Sequence, residues 1–166
     1  MGRDKSLVEI DGVAMVVRVA GALRAAGCDP VVAVGGDRMA LAALGLQVVA
    51  DEQPGEGPLG GVITALAHFH EGAAVMVVAC DLPYLTGDTV RSVLAAVAAG
   101  EVAVAVTDRR QPMCAAWRPS VLSSLRVAFN AGERRLATAL TSLQTVEVVV
   151  DFQDLANVNT PRDLSH

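Results

Sequence analysis

Ala73 to Leu85 reads Ala-Ala-Val-Met-Val-Val-Ala-Cys-Asp-Leu-Pro-Tyr-Leu, and no other stretch narrows the possible folds as much. Seven apolar residues run from Ala73 to Ala79 without a polar break. A strand with one wet face alternates, whereas an unbroken run suits a strand packed on both faces, which places this one in the middle of a parallel sheet. Asp81 then stands at the strand's carboxyl end, where open α/β sheets hold their ligands, and Pro83 stops the strand. Two readings of Asp81 are open at this point. It caps a turn, with Thr86 and Asp88 starting the next helix, or it offers a carboxylate to a divalent cation bridging phosphates, because Mg²⁺ prefers one or two carboxylates plus phosphate oxygens.

The flanking segments alternate between strand and helix. Ser6 to Gly12 is a short alternating stretch closed by an Asp11-Gly12 turn. Val13 to Ala26 carries apolar residues at helical spacing and stops at Gly27, and Pro30 to Val34 is a buried strand ending in Gly35-Gly36-Asp37. Glycines just past a strand let a ligand approach the backbone, or serve the turn alone. A short helix (Met39–Leu44) and a short strand (Leu46–Ala50) lead to a Gly/Pro-rich loop from Asp51 to Gly61, which feeds a helix from about Leu59 to His70. A helix amino end after glycines can hold an anion or a ring edge; the bland alternative is a plain surface connection.

Beyond the run at Ala73, the residues Val90, Val93, Leu94 and Val97 mark a helix ended by Gly100. Strands follow at Glu101–Val106, Met113–Trp117 and Thr145–Val150, with helices at Pro119–Phe129 and Glu133–Leu140 between the last two. Alternation of this kind predicts a doubly wound, largely parallel α/β sheet with helices on both faces; the return at Met113 supplies one antiparallel strand.

The 166 residues suit one domain spanning the whole chain. A hydrophobic content of 52% excludes disorder, and 3% aromatics with a net charge of −5 argue against nucleic acid as a partner. No apolar run approaches the roughly 20 residues of a membrane span, and no signal peptide is read ahead of the fold, so a cytoplasmic protein without membrane association is expected. Cys28, Cys80 and Cys114 form no metal-type pair and are expected to be small buried hydrophobes, with Cys80 the one near chemistry.

Lys5, Asp51 and Asp81 are the polar residues at the predicted ligand edge that can handle phosphate, and with the glycines nearby they suit metal-assisted phosphoryl or nucleotidyl transfer. No Ser-His-Asp set occurs. His68 and His70 fall on different faces at a helix end, where a surface role or a helix-end charge interaction is expected. Neither a Gly-x-Gly-x-x-Gly turn after a strand nor a P-loop lysine is present, which argues against dinucleotide dehydrogenases and P-loop kinases.

Met1-Gly2-Arg3-Asp4-Lys5 resembles the second half of the nucleotidyltransferase signature Leu-Ala-Gly-Gly-x-Ser-x-Arg-Met-Gly-x-Asp-Lys. Gly57-Pro58-Leu59-Gly60-Gly61, Cys80-Asp81-Leu82-Pro83-Tyr84-Leu85, Ala131-Gly132-Glu133-Arg134-Arg135 and Asn157-Val158-Asn159-Thr160-Pro161 follow in the order found in the molybdenum cofactor guanylyltransferases. The resemblance spans nearly the whole chain. It implies a three-layer, Rossmann-like nucleotidyltransferase fold and a Mg²⁺-dependent enzyme that joins GTP and molybdopterin into molybdopterin guanine dinucleotide, releasing pyrophosphate. Carried over by position, Lys5 would neutralise nucleotide phosphates, Asp81 would ligate Mg²⁺, Asp51 would hold the nucleotide or its metal, and Gly35 would approach the base. Asn157 and Asn159 would bind the pterin-bearing acceptor, and Arg134 or Arg135 would meet its phosphate. The alternatives are a solvated helix face for the arginines and a turn before a helix for the asparagines.

The Leu-Ala-Gly-Gly-x-Ser-x-Arg half of the signature has no counterpart here, nor does the strand that carries it. The resemblance therefore implies a gap in the core and a chain that starts at an internal methionine or is otherwise shortened. Three other functions stay open: a cytidylyltransferase for the same acceptor, a nucleotidyltransferase for another phosphate, and a non-catalytic homologue that docks molybdopterin or a molybdoenzyme-maturation protein.

Overall fold

In the computed structural model, which describes residues 5–71 and 73–157, a single 3-10 turn at Lys5–Leu7 leads into a small antiparallel hairpin. Its strands are β1 (Glu9–Ile10) and β2 (Val13–Ala14). The predicted Asp11-Gly12 turn closes it with φ values of 50° and 74°, the doubly left-handed geometry that matches the twist of paired strands. Val13 and Ala14 thus belong to the hairpin, and the first helix starts later than the spacing predicts. In order come α1 (Met15–Ala25), β3 (Val32–Val34), α2 (Arg38–Ala43), β4 (Gln47–Val49), α3 (Pro58–His68), β5 (Val75–Val78) and α4 (Gly87–Ala96). Then follow β6 (Val102–Val106), β7 (Arg110–Trp117), α5 (Leu122–Asn130), α6 (Leu136–Ala139) and β8 (Thr145–Val149).

Four strands form one sheet in the order β5-β7-β6-β8. As expected, one strand runs against the rest: β7 is antiparallel to both β5 and β6, while β6 and β8 are parallel. Along β6 the two faces differ in residue size. Along β6 the valines Val102 and Val104 point toward α3, α5 and α6, with Ala115 and Trp117 of β7 beside them. The alanines Ala103 and Ala105 point toward α1 and α4, with Cys114 and Ala116. Period-two alternation thus sends successive side chains to opposite helical layers, giving the three-layer α/β architecture. Each fully buried valine contributes about 1.5–3 kcal/mol, so this alternation stabilises both layers at once.

β3 and β4 pair in parallel with each other, and no ladder among the described residues joins them to β5. A cavity of about 920 Å³ lies along Val32–Val34 on one side and Val75–Val78 on the other, with Val16, Val19 and Ala20 of α1 and Val62 and Ala65 of α3 in its walls. This corrects the place assigned to the apolar run. Val75 and Val77 pack on one core and Met76 and Val78 on the other, so both faces are covered as expected. Yet β5 borders its sheet instead of lying in the middle, because its second edge faces the cavity rather than another strand.

Packing onto α1, α2 and α3, not ladder hydrogen bonds, holds β3 and β4 to the rest of the molecule. Hydrogen exchange should therefore find Val32–Val34 opening at least about tenfold faster than the doubly paired β6 and β7, as a separate unit below the global transition. Equal protection of the two strand sets would show a single cooperative sheet instead.

Candidate active site

Lys5, Gly35, Gly36, Asp51, Gly57, Gly61, Cys80 and Asp81 all line the cavity between β3 and β5. Five of them stand past the end of a strand, where apolar residues give way to glycine or charge. Gly35 and Gly36 follow β3, Asp51 follows β4, and Cys80 and Asp81 follow β5. Gly57 and Pro58 open α3, and Lys5 sits exposed in the first 3-10 turn. The structure thus brings together four of the residues singled out in the sequence, namely Lys5, Gly35, Asp51 and Asp81.

Asp81 is half-buried while Leu82, Pro83 and Leu85 beyond it are buried. The cap of α4 is Thr86, whose hydroxyl accepts from the Thr89 amide at 3.2 Å. Among the described residues no hydrogen bond ends on the Asp81 carboxylate, so the capping reading of this residue has no contact to support it. A half-buried carboxylate without donors among the described residues is a fitting ligand for a cation.

Asp51 is held differently. Its Oδ1 accepts from the Gln53 amide at 2.9 Å and from the Thr64 hydroxyl at 3.0 Å. A Cβ built on Gly35 would meet Asp51 Cβ at 3.4 Å and Oδ2 at 4.0 Å, which sets that carboxylate against the end of β3. Gly35 has φ of +69° and donates its amide to Val49 O at 2.9 Å, so it offers a ligand close approach and not a free N–H. The loop after Asp51 lies tight on α3: a Cβ at Gly60 would fall 2.8 Å from Gln53 Cβ and 3.3 Å from its carbonyl oxygen. Only glycine permits that approach.

No cluster of three or more His, Cys, Asp or Glu poised for a metal occurs among the described residues. The donor set still fits Mg²⁺, which keeps waters and takes phosphate oxygens alongside one or two carboxylates such as Asp81 and Asp51.

Arg134 and Asn157 do not line the cavity, and Asn159 lies outside the described residues. Arg134 sits behind the cavity rim, its guanidinium 3.9 Å from the Phe129 ring centroid and its Nε donating to Glu56 at 2.7 Å. Nη1 donates to the carbonyls of Phe129 and Glu133 at 2.8 and 2.9 Å. Together with the Arg126–Glu52 pair at 3.6 Å, this braces the Asp51 loop against α5. Arg135 is exposed. Glu133 organises that turn: its carboxylate accepts from the amides of Arg135 at 2.6 Å and Arg134 at 2.8 Å, which holds its pKa below the ordinary range. The predicted Glu133–Leu140 helix is consequently shorter, with α6 starting at Leu136.

Sequence reasoning missed Glu56, Thr64 and Glu133. Thr64 carried a signal, being the lone hydroxyl in the apolar run Val-Ile-Thr-Ala-Leu of α3; the others form contacts that spacing does not encode. The cysteines also need correction. Cys114 is buried, its thiol pushed up to about 12 by burial and then by the charge of Asp154, and burial raises half-buried Cys28 as well. Cys80 is exposed, because it follows β5 at the cavity instead of lying within the strand.

Comparison with known proteins gives the family and the fold. A protein of Chloroflexus aggregans named a probable molybdenum cofactor guanylyltransferase is 37% identical, over 82% of this chain and 71% of its own length. A Shewanella molybdenum cofactor guanylyltransferase is 33% identical, over 96% of this chain and 84% of its own. Molybdopterin-guanine dinucleotide biosynthesis protein A from Archaeoglobus fulgidus shares the fold with a TM-score of 0.78 at 23% identity, covering 99% of this chain and 88% of that one. A CMP:2-keto-3-deoxy-manno-octonic acid synthetase solved with CTP shares it at 0.74 and 17%, covering 97% and 88%. The family profile described as a MobA-like NTP transferase domain matches residues 1–148, and the chain belongs to that family of nucleotidyltransferases.

Proposed function

We propose that this chain transfers GMP from GTP to molybdopterin, forming molybdopterin guanine dinucleotide and pyrophosphate. The observation that carries this reading is the meeting of Lys5, Asp51, Asp81 and glycine-rich backbone on one cavity, in a chain whose named relatives are molybdenum cofactor guanylyltransferases. The acceptor's terminal phosphate oxygen attacks the α-phosphorus of GTP in line. As that bond forms, the bond from the α-phosphorus to the oxygen bridging the β-phosphate breaks, and its electron pair leaves with pyrophosphate. No covalent intermediate on the protein is required, so the residues act by placing the groups and offsetting charge.

Each residue has a separate task. Lys5 offsets the charge of the triphosphate, and Gly35 lets the base approach the end of β3. Asp81 and Asp51 would hold Mg²⁺, which when bound supplies charge neutralisation across the phosphates. Asn157 and Asn159 would bind the pterin-bearing acceptor. Arg134 would have to exchange Glu56 for phosphate to reach it, and in its present bonds it supports the loop that carries Asp51. A protein with a net charge of −5 gains no general attraction for a triphosphate, so the local cations decide binding.

Asp81→Ala should reduce Mg²⁺-dependent formation of the dinucleotide by at least about a hundredfold with little change in melting temperature. Retained turnover would remove Asp81 from the metal role, and preference for CTP over GTP in the same assay would overturn the guanine assignment. Gly60→Ala should raise the KM for GTP through displacement of the Asp51 loop by the added methyl; an unaltered KM would show that the loop's approach to α3 does not matter for the nucleotide.

A further inference from the structure

Thr64 is 2% exposed, and its hydroxyl serves two parts of the Asp51 turn at once. Its oxygen accepts from the Glu52 amide at 3.1 Å, and it lies 3.0 Å from Asp51 Oδ1 and 3.1 Å from the Gly60 carbonyl one turn back in α3. A hydroxyl has a single proton to give. A threonine inside a helix ordinarily gives it to the carbonyl four residues earlier. Here an ionised carboxylate competes for it, and charge-assisted acceptors form the stronger bond. The Gln53 amide gives Oδ1 a second donor at 2.9 Å, while no hydrogen bond among the described residues ends on Oδ2.

We propose that Thr64 is the positioning residue of the nucleotide site, clamping one oxygen of Asp51 so that the other is presented to the cavity beside Gly35. This deepens the guanylyltransferase reading and rests on it. Two donors on one oxygen stop the carboxylate from rotating. The donor itself stands on α3, whose Gly61, Val62 and Ala65 line the same cavity, so the aspartate's orientation is fixed to a wall of the site and not to its own loop. Displacements of about 1 Å in a phosphoryl-transfer site can cost on the order of a hundredfold, which gives a buried clamp of this kind a measurable effect.

The test compares wild type, Thr64→Val and Thr64→Ser by calorimetric titration with GTP, with and without Mg²⁺, alongside kcat and KM. Valine matches the shape of threonine without its hydroxyl, and serine keeps the hydroxyl without the methyl. Thr64→Val should lose about tenfold or more of the Mg²⁺-dependent gain in GTP affinity while metal-free GTP binding stays unchanged, and Thr64→Ser should restore the gain. Should Thr64→Val not fold, Thr64→Ala carries the same comparison. Equal Mg²⁺-dependent gains in wild type and Thr64→Val overturn the clamp and leave the guanylyltransferase reading standing; equal losses in the valine and serine variants assign Thr64 to packing and overturn it too. Absence of any Mg²⁺-dependent GTP binding in wild type sinks the guanylyltransferase reading, and the clamp with it.

Discussion

Strands packed by helices on both faces cannot carry ionised side chains along their length, because burying an unpaired charge costs several kcal/mol. In this chain β5 and β6 are made of Val, Met and Ala alone, and the two carboxylates at the cavity stand past the ends of strands. Asp51 stands two residues beyond β4 and Asp81 three beyond β5. The cavity is apolar along the strands and polar where they stop, the composition expected of a small-molecule site whose few polar groups fix orientation. Chemistry is confined to one rim by the same burial that stabilises the fold.

Much of this was legible because it is local. An unbroken apolar run at Ala73–Ala79 announced a strand covered on both faces, Asp11-Gly12 announced a hairpin, and glycine or proline marked the ends of most elements. The antiparallel return was legible too, although the strand starts at Arg110 and not Met113, since the ladder to Val106 extends through the polar residues of the turn. The edge position of β5 was not legible, because an apolar run reports what covers a strand's faces and says nothing of what bonds to its edges. The contacts around the site were hidden for the same kind of reason. Thr64 meets Asp51 across 13 residues of sequence and Arg134 meets Glu56 across 78, and no periodicity encodes either. Glu133 was read as part of a helix, whereas its carboxylate serves the amides that precede one.

The Asp51 loop joins these findings. It is held from within by the Asp51–Gln53 turn, from α3 by Thr64 and by the glycine contact at Gly60, and from α5 and its following turn by Arg126 and Arg134. The ion pairs are half exposed and contribute little each, in the range of about 0–1 kcal/mol. The buried hydroxyl and the absence of a side chain at Gly60 constrain more, because neither contact can be made with water instead. A loop rich in Gly and Pro is thereby given one conformation at the cavity rim, which is what a site acting by placement needs.

The most direct measurement is a backbone amide titration by NMR with GTP and Mg²⁺. Shifts should concentrate at Gly35, Gly36, Asp51 to Gly61, Cys80 and Asp81, with the amides of β8 and α5 unaffected. Shifts clustered instead around His70, Arg118 and Ser120, or spread without pattern, would place the nucleotide elsewhere and contradict the assignment of the cavity between β3 and β5.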